Sequence, residues 1–306
     1  MAICVATFFR SEAQGVYVRE ISVHSDNDAY LFLNQDQYYT NGVAFNYRRL
    51  KEDISLPSRQ KKQIWEVSLG HKLFNAYNGF SELEYMDRPF TAFLYLRGQH
   101  TWFYSTESIF SVSSEMGFFG KAAKGEEIQK AFHNLFGFYD INGWDYQLRS
   151  NFTVDIRASY SAKLWRNTAK TVDVQAGSKI SIGLNQSHIG VGPTLRIGNM
   201  NALYESALTG SRLGLSNRRV NKERYFYYRP ILYYRFYDAS IQGGMFLQDK
   251  GPVTFGIQSW VLSQQIGFIY AKNHLSLDAR FQFNTKEVKS RASPHQYGSI
   301  TLGYAF

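Results

Sequence analysis

The sequence predicts an all-β protein, a transmembrane β-barrel of twelve antiparallel strands, and three observations lead to this fold class. Apolar and polar residues alternate along most of the 306-residue chain. Aromatic residues reach 17%, yet no stretch approaches the roughly 18–20 apolar residues that a membrane helix needs. The last strand-like segment ends on an aromatic residue, Phe306. Strands of a membrane barrel alternate apolar and polar residues and so contain no long apolar run. The three observations therefore fit a β-barrel of the bacterial outer membrane.

The clearest alternation covers residues 274–284, where five apolar side chains share one face and six polar or charged side chains share the other. A period of two is typical of a strand with one apolar face. Residues 152–160 and 172–184 repeat the pattern. A soluble β-sandwich also alternates, but charged residues on the polar faces of so many strands favour the barrel.

Twelve segments qualify as strands, an even number, as bacterial single-chain barrels require. They are 16–26, 39–50, 62–74, 90–104, 107–120, 144–166, 169–184, 187–199, 223–240, 254–272, 274–289 and 295–306.

Strand parity assigns each connection to one side of the membrane, with both termini in the periplasm. The predicted extracellular connections are 27–38, 75–89, 121–143, 185–186, 241–253 and 290–294. The predicted periplasmic connections are 51–61, 105–106, 167–168, 200–222 and 273. Periplasmic turns of such barrels are short, so the long and basic segment 200–222 fits this topology least well.

Composition limits the organisation and the partners. Residues 16–306 form a single barrel domain, and residues 1–15 are either the remnant of a signal peptide or a frayed or mis-started terminus. Cys4 is the only cysteine, which excludes a disulfide framework and a cysteine-based zinc site. The net charge of +9 suits an anionic partner, either nucleic acid or lipopolysaccharide. No zinc-finger spacing or basic helix supports nucleic acid, so we expect none.

Residues 125–137 interrupt the strand pattern. Apolar residues fall at helical spacing, two glutamates stand in the first turn, and Gly137 follows as a stop. The segment predicts a short amphipathic helix inside an extracellular loop. Gln129 and His133 are four residues apart and therefore share one side of it.

Three polar clusters fall on the predicted extracellular rim: residues 25–28, residues 38–42, and the helix with Gln129 and His133. Aspartate and asparagine oxygens suit Ca²⁺. A histidine near a bound cation can deprotonate water, and the cation can polarise an ester carbonyl. Two plainer interpretations compete: Asp-Asn-Asp is often only a turn, and a loop histidine is often solvated or structural. No G-x-S-x-G motif supports a serine hydrolase.

At these residues the chain resembles the LpxR-type lipid A deacylases of Gram-negative outer membranes. The matching stretches are Asn27-Asp28, the segment 36–42 (DQYYTNG), the segment 87–93 (DRPFTAF), residues 125–133 with Gln129 and His133, and the segment 143–148 (GWDYQL). The likeness runs through nearly the whole chain in order and spacing. Its last third is carried mainly by the strand pattern.

The resemblance implies a twelve-stranded outer-membrane enzyme of lipid metabolism. It implies Ca²⁺-dependent hydrolysis of the 3′-linked acyloxyacyl ester of lipid A, a carboxylic ester hydrolase reaction. His133 would activate a water, Asn27 and Asp28 would hold Ca²⁺, and Thr40 and Gln129 would help to position the site. The site would face the extracellular side, where lipopolysaccharide lies in the outer leaflet.

The loop after the third predicted strand departs from the family pattern. Characterised members carry a basic cluster there, whereas residues 75–86 contain no Lys or Arg. Arg88, Lys121 and Lys130 are the candidates for substrate binding in its place. Two other functions stay open: a phospholipase-like esterase, and a non-catalytic pore or binding barrel on the same scaffold.

Overall fold

The computed structural model describes residues 17–31, 37–51, 57–77, 82–136, 143–214 and 222–306. Twelve of the described strands form the barrel wall. They are β1 (Arg19–Asn27), β2 (Tyr38–Leu50), β3 (Gln60–Asn75), β4 (Thr91–Tyr104), β5 (Ser108–Phe119), β6 (Asn151–Arg166), β7 (Val172–Gly183), β8 (Gln186–Asn199), β9 (Lys222–Asp238), β11 (Trp260–Lys272), β12 (Leu275–Asn284) and β14 (His295–Ala305). Two short strands, β10 (Gly256–Ile257) and β13 (Val288–Lys289), pair outside the wall.

The wall is an antiparallel meander that closes on itself. Each strand pairs with the strands before and after it in the wall, and β1 closes the ring against β14. At the end of the barrel where both termini lie, the amides of Val18 and Arg19 donate to the carbonyl of Phe306 at 3.1 and 2.9 Å. Closure leaves no strand edge to be satisfied inside a bilayer. The predicted fold class is confirmed.

The alternation of the sequence sorts side chains between lipid and lumen. On β1, Ile21 and Val23 are exposed on the outer face, whereas Glu20 and Ser22 are buried in the lumen. Luminal charges pair across strands: Arg48 bonds both Glu20 and Glu66, and Arg157 donates to Glu115 at 2.9 Å. The lumen is therefore lined by polar groups that pair across strands, and the outer belt is apolar.

The described part of the long segment predicted to be periplasmic, residues 200–214, folds into the barrel. Leu203 and Leu213 are completely buried beside wall residues such as Phe103. Lys62 donates from Nζ to the carbonyls of Ser211 and Leu213, both at 2.5 Å. Residues 200–214, which we call the plug, close the periplasmic mouth, and this explains the length that the topology alone left unexplained.

Four strand boundaries differ from the prediction because other elements take up the ends. The sixth strand begins at Asn151, not 144, since Gly143–Tyr146 form a 3-10 turn. The ninth ends at Asp238, which caps the short helix α2 (Ala239–Gln242) through the amide of Ser240. Residues predicted to extend the next two strands, 254–259 and 285–289, contain the β10–β13 pair.

The predicted loop helix is confirmed as α1 (Gly125–Phe136). Gly137, its expected stop, and the N-terminal segment 1–15 lie outside the described residues. No helix within the described ranges is long and apolar enough to cross a membrane.

Candidate active site at the extracellular rim

Asn27 and Asp28 stand where β1 ends, at the rim of the barrel opposite the termini, which is the predicted extracellular side. The side-chain oxygen of Asn27 accepts from the amide of Ala29 at 2.7 Å, so Asn27 opens the 3-10 turn Asp28–Leu31. The Asp28 carboxylate is buried and accepts from the amide of Gln37 at 3.0 Å. The turn interpretation of this stretch is therefore correct as local structure, and the carboxylate also fixes the approach to β2.

Thr40 occupies a β-bulge at the start of β2. The register against β3 shifts between Tyr39 and Asn41, which leaves Thr40 as the extra residue. Tyr38 has a left-handed φ of 62°, and the Tyr39 hydroxyl donates to Asp26 at 2.7 Å. Thr40 is 4% exposed, and its hydroxyl is buried with no hydrogen-bond partner in the described structure. Bulges commonly re-aim side chains next to active sites, and an unpartnered buried hydroxyl requires an explanation.

Asn41 joins this group although the sequence analysis did not assign it a role. It lies directly opposite Asn27 in the β1–β2 register. Residues two apart share a face, so Asn27 falls on the side of Val23, and Asn41 on the side of Phe45. Both sides are the lipid-facing one. Cross-strand register is a tertiary property, so the sequence carried no direct signal for this pair.

Helix α1 is fixed to the rim by its buried side. Gln129 is 4% exposed, and its side-chain oxygen accepts from the indole nitrogen of Trp144 at 2.7 Å. A Cβ on Gly125 would lie 2.5 Å from both Ala92 and the Trp144 ring, so only glycine permits this approach. Just before the helix, the His71 ring and the carbonyl of Ala123 are 2.8 Å apart. Trp144 is a second residue without an assigned role in the sequence analysis.

His133 lies one turn beyond Gln129 and is partly exposed. Around it the helix carries exposed ion pairs, Lys130 with Glu126 at 2.7 Å and Lys124 with Glu127 at 2.8 Å. Exposed pairs of this kind contribute little to stability. They keep a polar outer surface on α1 while Gln129 faces the protein.

Arg88 and the two lysines differ sharply in their surroundings. Arg88 is 2% exposed, donates to Ser240 at 2.9 Å and to Glu287 at 3.4 Å, and lies over the Phe74 ring. Burial raises the pKa of the Glu287 carboxyl, but Arg235 and Arg88 outweigh burial and hold the pKa below its ordinary value. Arg88 is thus buried among loop residues, whereas Lys121 and Lys130 are exposed.

The structure groups the candidates on neighbouring strands. Asn27, Asp28 and Thr40 lie on β1 and β2 or the turn between them, and α1 packs on β3 and β4, the next two strands of the wall. All stand at the end of the barrel opposite the termini. Within the described ranges no three His, Cys, Asp or Glu residues form a metal cluster. Among the candidate residues, the Asp28 carboxylate and the Asn27 side-chain oxygen are ligand types that suit Ca²⁺.

A closed apolar-belted barrel with a polar rim and a packed loop helix defines the class: an integral β-barrel protein of the outer membrane. A family model described as outer membrane protein LpxR matches residues 1–306. The chain belongs to the LpxR family.

Solved structures agree on the fold. LpxR from Salmonella typhimurium is 17% identical with a TM-score of 0.76, and the match covers 94% of this chain and 100% of that one. The β domain of the Bordetella autotransporter Brka is 10% identical with a TM-score of 0.52, over 95% and 100% of the two chains. No curated protein matches the sequence. At these identities the structural likeness shows the barrel alone.

Proposed function

We propose that the chain is a Ca²⁺-dependent lipid A deacylase that hydrolyses the 3′-linked acyloxyacyl ester of lipid A in the outer leaflet. The observation that carries the proposal is the polar group at the top of β1 and β2. Asn27 and Asn41 pair on the lipid-facing side of the wall, beside a bulged Thr40 whose buried hydroxyl lacks a partner. Membership of the LpxR family supports the same function.

Asn27 and Asp28 are suited to hold the cation. Both supply oxygen donors of the kinds that bind Ca²⁺, a side-chain amide oxygen at Asn27 and a carboxylate at Asp28. A cation held there would polarise the ester carbonyl and stabilise the charge that develops on its oxygen. Thr40 and Gln129 would help to orient the substrate ester.

His133 would act as the general base. Its ring takes a proton from a water molecule, the water oxygen forms a bond to the carbonyl carbon, and the ester C–O bond then breaks. The alcohol oxygen that leaves receives the proton, and the products are a free fatty acid and partly deacylated lipid A. General base catalysis of this kind contributes about 10²–10⁴-fold to a rate.

The test is acyl release from purified lipid A, followed by mass spectrometry with Ca²⁺ or with a chelator. We expect loss of one acyloxyacyl unit only with Ca²⁺, and a reduction of about 10²–10⁴-fold in His133→Ala. His100→Ala is the matched control, because His100 lies toward the opposite end of β4 and is bonded to Gln63. Activity of His133→Ala equal to that of the parent would exclude this site.

A glycerophospholipid is the second substrate to compare. Residues 82–86 carry Glu82 and Glu84 and no cation, and Arg88 is buried against Glu287. The exposed cations near α1 are Lys121, Lys124 and Lys130, of which the last two pair with glutamates. Offering both lipids in one assay decides between them, and faster release from the glycerophospholipid would favour the phospholipase-like function.

A further inference from the structure

A tight turn in the extracellular loop after β9 carries apolar side chains at its corners. The amide of Leu247 donates to the carbonyl of Gly244 at 3.2 Å, so Met245 and Phe246 occupy the two corner positions. Such positions ordinarily take Gly, Pro, Asn, Asp or Ser. Phe246 is 79% exposed, more than any other large hydrophobic residue in the described ranges. A turn surrounded only by water would not be expected to carry Met245 and Phe246 at these positions.

The turn is held in place by its base. The amide of Gly243 donates to the carbonyl of Ala239 at 3.0 Å, and the hydroxyl of Tyr237 donates to the carbonyl of Gly243. The Leu247 side chain folds back against Gly244. Phe246 is therefore presented outward by a fixed backbone while its neighbour packs inward.

The base of the turn adjoins the upper end of the apolar belt. The side chain of Asn151 approaches Gly244 so closely that a Cβ there would lie 2.7 Å away. Asn151 is the first residue of β6, and Phe152 follows it on the lipid-facing side, 48% exposed. Phe152 makes an edge contact with Phe118 of β5, with ring centroids 5.5 Å apart. By strand alternation Asn151 itself faces the lumen with Thr153, so its contact with Gly244 places the base of the turn at the level where the lipid-facing surface of β5 and β6 ends.

Charged groups lie next to the base of the turn that carries Met245 and Phe246. Arg149 is exposed and bonds Asp249 at 2.7 Å, and its amide donates to the carbonyl of Lys250 at 3.2 Å. Apolar residues next to cations match the boundary between acyl chains and phosphate-bearing headgroups.

We propose that the Met245–Phe246 turn inserts into the acyl region of the outer leaflet and anchors this loop to the membrane surface. The occupant of the turn's apolar face is lipid, because the base of the turn lies at the level of the belt's upper end and carries cations. The inference does not depend on the deacylase reaction.

The test uses a spin label at position 246 of the full chain. Phe246→Cys is made with Cys4→Ser, since Cys4 is the only native cysteine. The labelled barrel is placed in vesicles of phosphatidylethanolamine and phosphatidylglycerol, with and without lipopolysaccharide. The accessibility of the label to oxygen and to a water-soluble nickel chelate is then measured. We expect an oxygen-to-nickel ratio near that of a lipid-facing position.

Two matched positions calibrate the result. Phe45 is 59% exposed on the belt, so Phe45→Cys gives the accessibility ratio of a lipid-facing position. Asp249 is an exposed charged residue of the same loop, so Asp249→Cys gives the ratio of a water-facing position. A ratio at 246 equal to that at Asp249 overturns the proposal. So does low accessibility to both reagents, which would place protein on the turn. Met245→Cys repeats the measurement if the first variant does not fold.

Discussion

At the residue scale, the site depends on contacts that tie polar side chains to the barrel wall. Asn27 and Asp28 each use an oxygen to fix the turn that leaves β1. Gln129 is held by Trp144, which is itself completely buried against Phe90. These bonds orient the side chains before any substrate arrives, and preorganised groups are the ones that contribute most to catalysis.

Trp144→Phe tests this positioning, and its effect on activity rests on the proposed function. The substitution keeps an aromatic ring and removes the donor to Gln129, so we expect kcat to fall by up to roughly tenfold while KM stays near that of the parent. Steady-state kinetics of acyl release measures both constants. Trp102→Phe, on β4 in a stack with His100 and Phe110, is the control. A rise in KM alone would indicate a binding role for Trp144.

Sequence reasoning at this scale identified residue types but not pairings. It singled out Asn27, Asp28, Thr40, Gln129 and His133 because their chemistry and spacing were informative. It assigned no role to Asn41 or Trp144, although both lie in stretches that it singled out, since their contacts arise from strand register and from a hydrogen bond across 15 residues. It proposed Arg88 as a candidate for substrate binding, and the folded loops bury Arg88 against Glu287.

At the element scale, alternation predicted the strands well because the lipid and lumen faces impose it on every wall strand. The boundaries at the extracellular end were wrong where loops fold over the mouth. Residues 143–146 and 285–289 adjoin the strand pattern, but the first form a 3-10 turn and the second contribute to the β10–β13 pair. That packing is tertiary, and local periodicity does not reveal it.

Gly125→Ala tests the packing of helix α1 against Ala92 and Trp144. The added methyl group would meet Ala92 and Trp144 at 2.5 Å, so we expect a loss of about 1–3 kcal/mol in stability or a displaced helix with lower activity. Thermal unfolding followed by circular dichroism and acyl release measure these effects. Gly98→Ala is the matched control, because nothing lies within 4 Å of a Cβ there. Equal behaviour of the two variants would show that α1 is not held as described.

Glu107, which holds the plug through the amide of Leu203, predicts a pH dependence of the protein's stability. Burial raises the pKa of the Glu107 carboxyl, but hydrogen bonds from Lys163, Arg166 and the amide of Leu203 outweigh burial, so the pKa is lowered. A lowered folded pKa stabilises the protein above the unfolded pKa of about 4.3, and this stability is lost as pH falls through the folded value.

Glu107→Gln measures that contribution. The thermal midpoint of the variant should lie below that of the parent at neutral pH, and the difference should shrink in acid as the parent's carboxyl is protonated. A difference that stays constant from neutral to acid pH would show that the charge of Glu107 does not help to hold the plug.

At the scale of the whole molecule, described residues fold into both ends of a polar barrel interior. The plug lies in the end that carries the termini, and Arg88, Ser240 and Glu287 are bonded together in the other. Between them lies a cavity of about 430 Å³ lined by charged side chains such as Arg48 and Arg280. This arrangement favours an enzyme that works at its outer surface over a passive pore.

Planar bilayer recordings test the closure. The parent should show no steady conductance, because the plug is bonded to the wall through Lys62 and Glu107. Replacing residues 203–213 by a short Gly-Ser linker should open a conducting state, since it removes both buried leucines. Steady conductance of the parent at low voltage would favour the pore function.

The central claim is that the reaction occurs at the rim and uses a cation held by Asn27 and Asp28. The most direct measurement is the Ca²⁺ dependence of acyl release from lipid A by the parent, Asn27→Ala and His133→Ala. Loss of a ligand worth about 1.4 kcal/mol shifts the required Ca²⁺ about tenfold, so Asn27→Ala should recover activity at higher Ca²⁺. His133→Ala should stay inactive throughout. Identical Ca²⁺ curves for the parent and Asn27→Ala would contradict the claim.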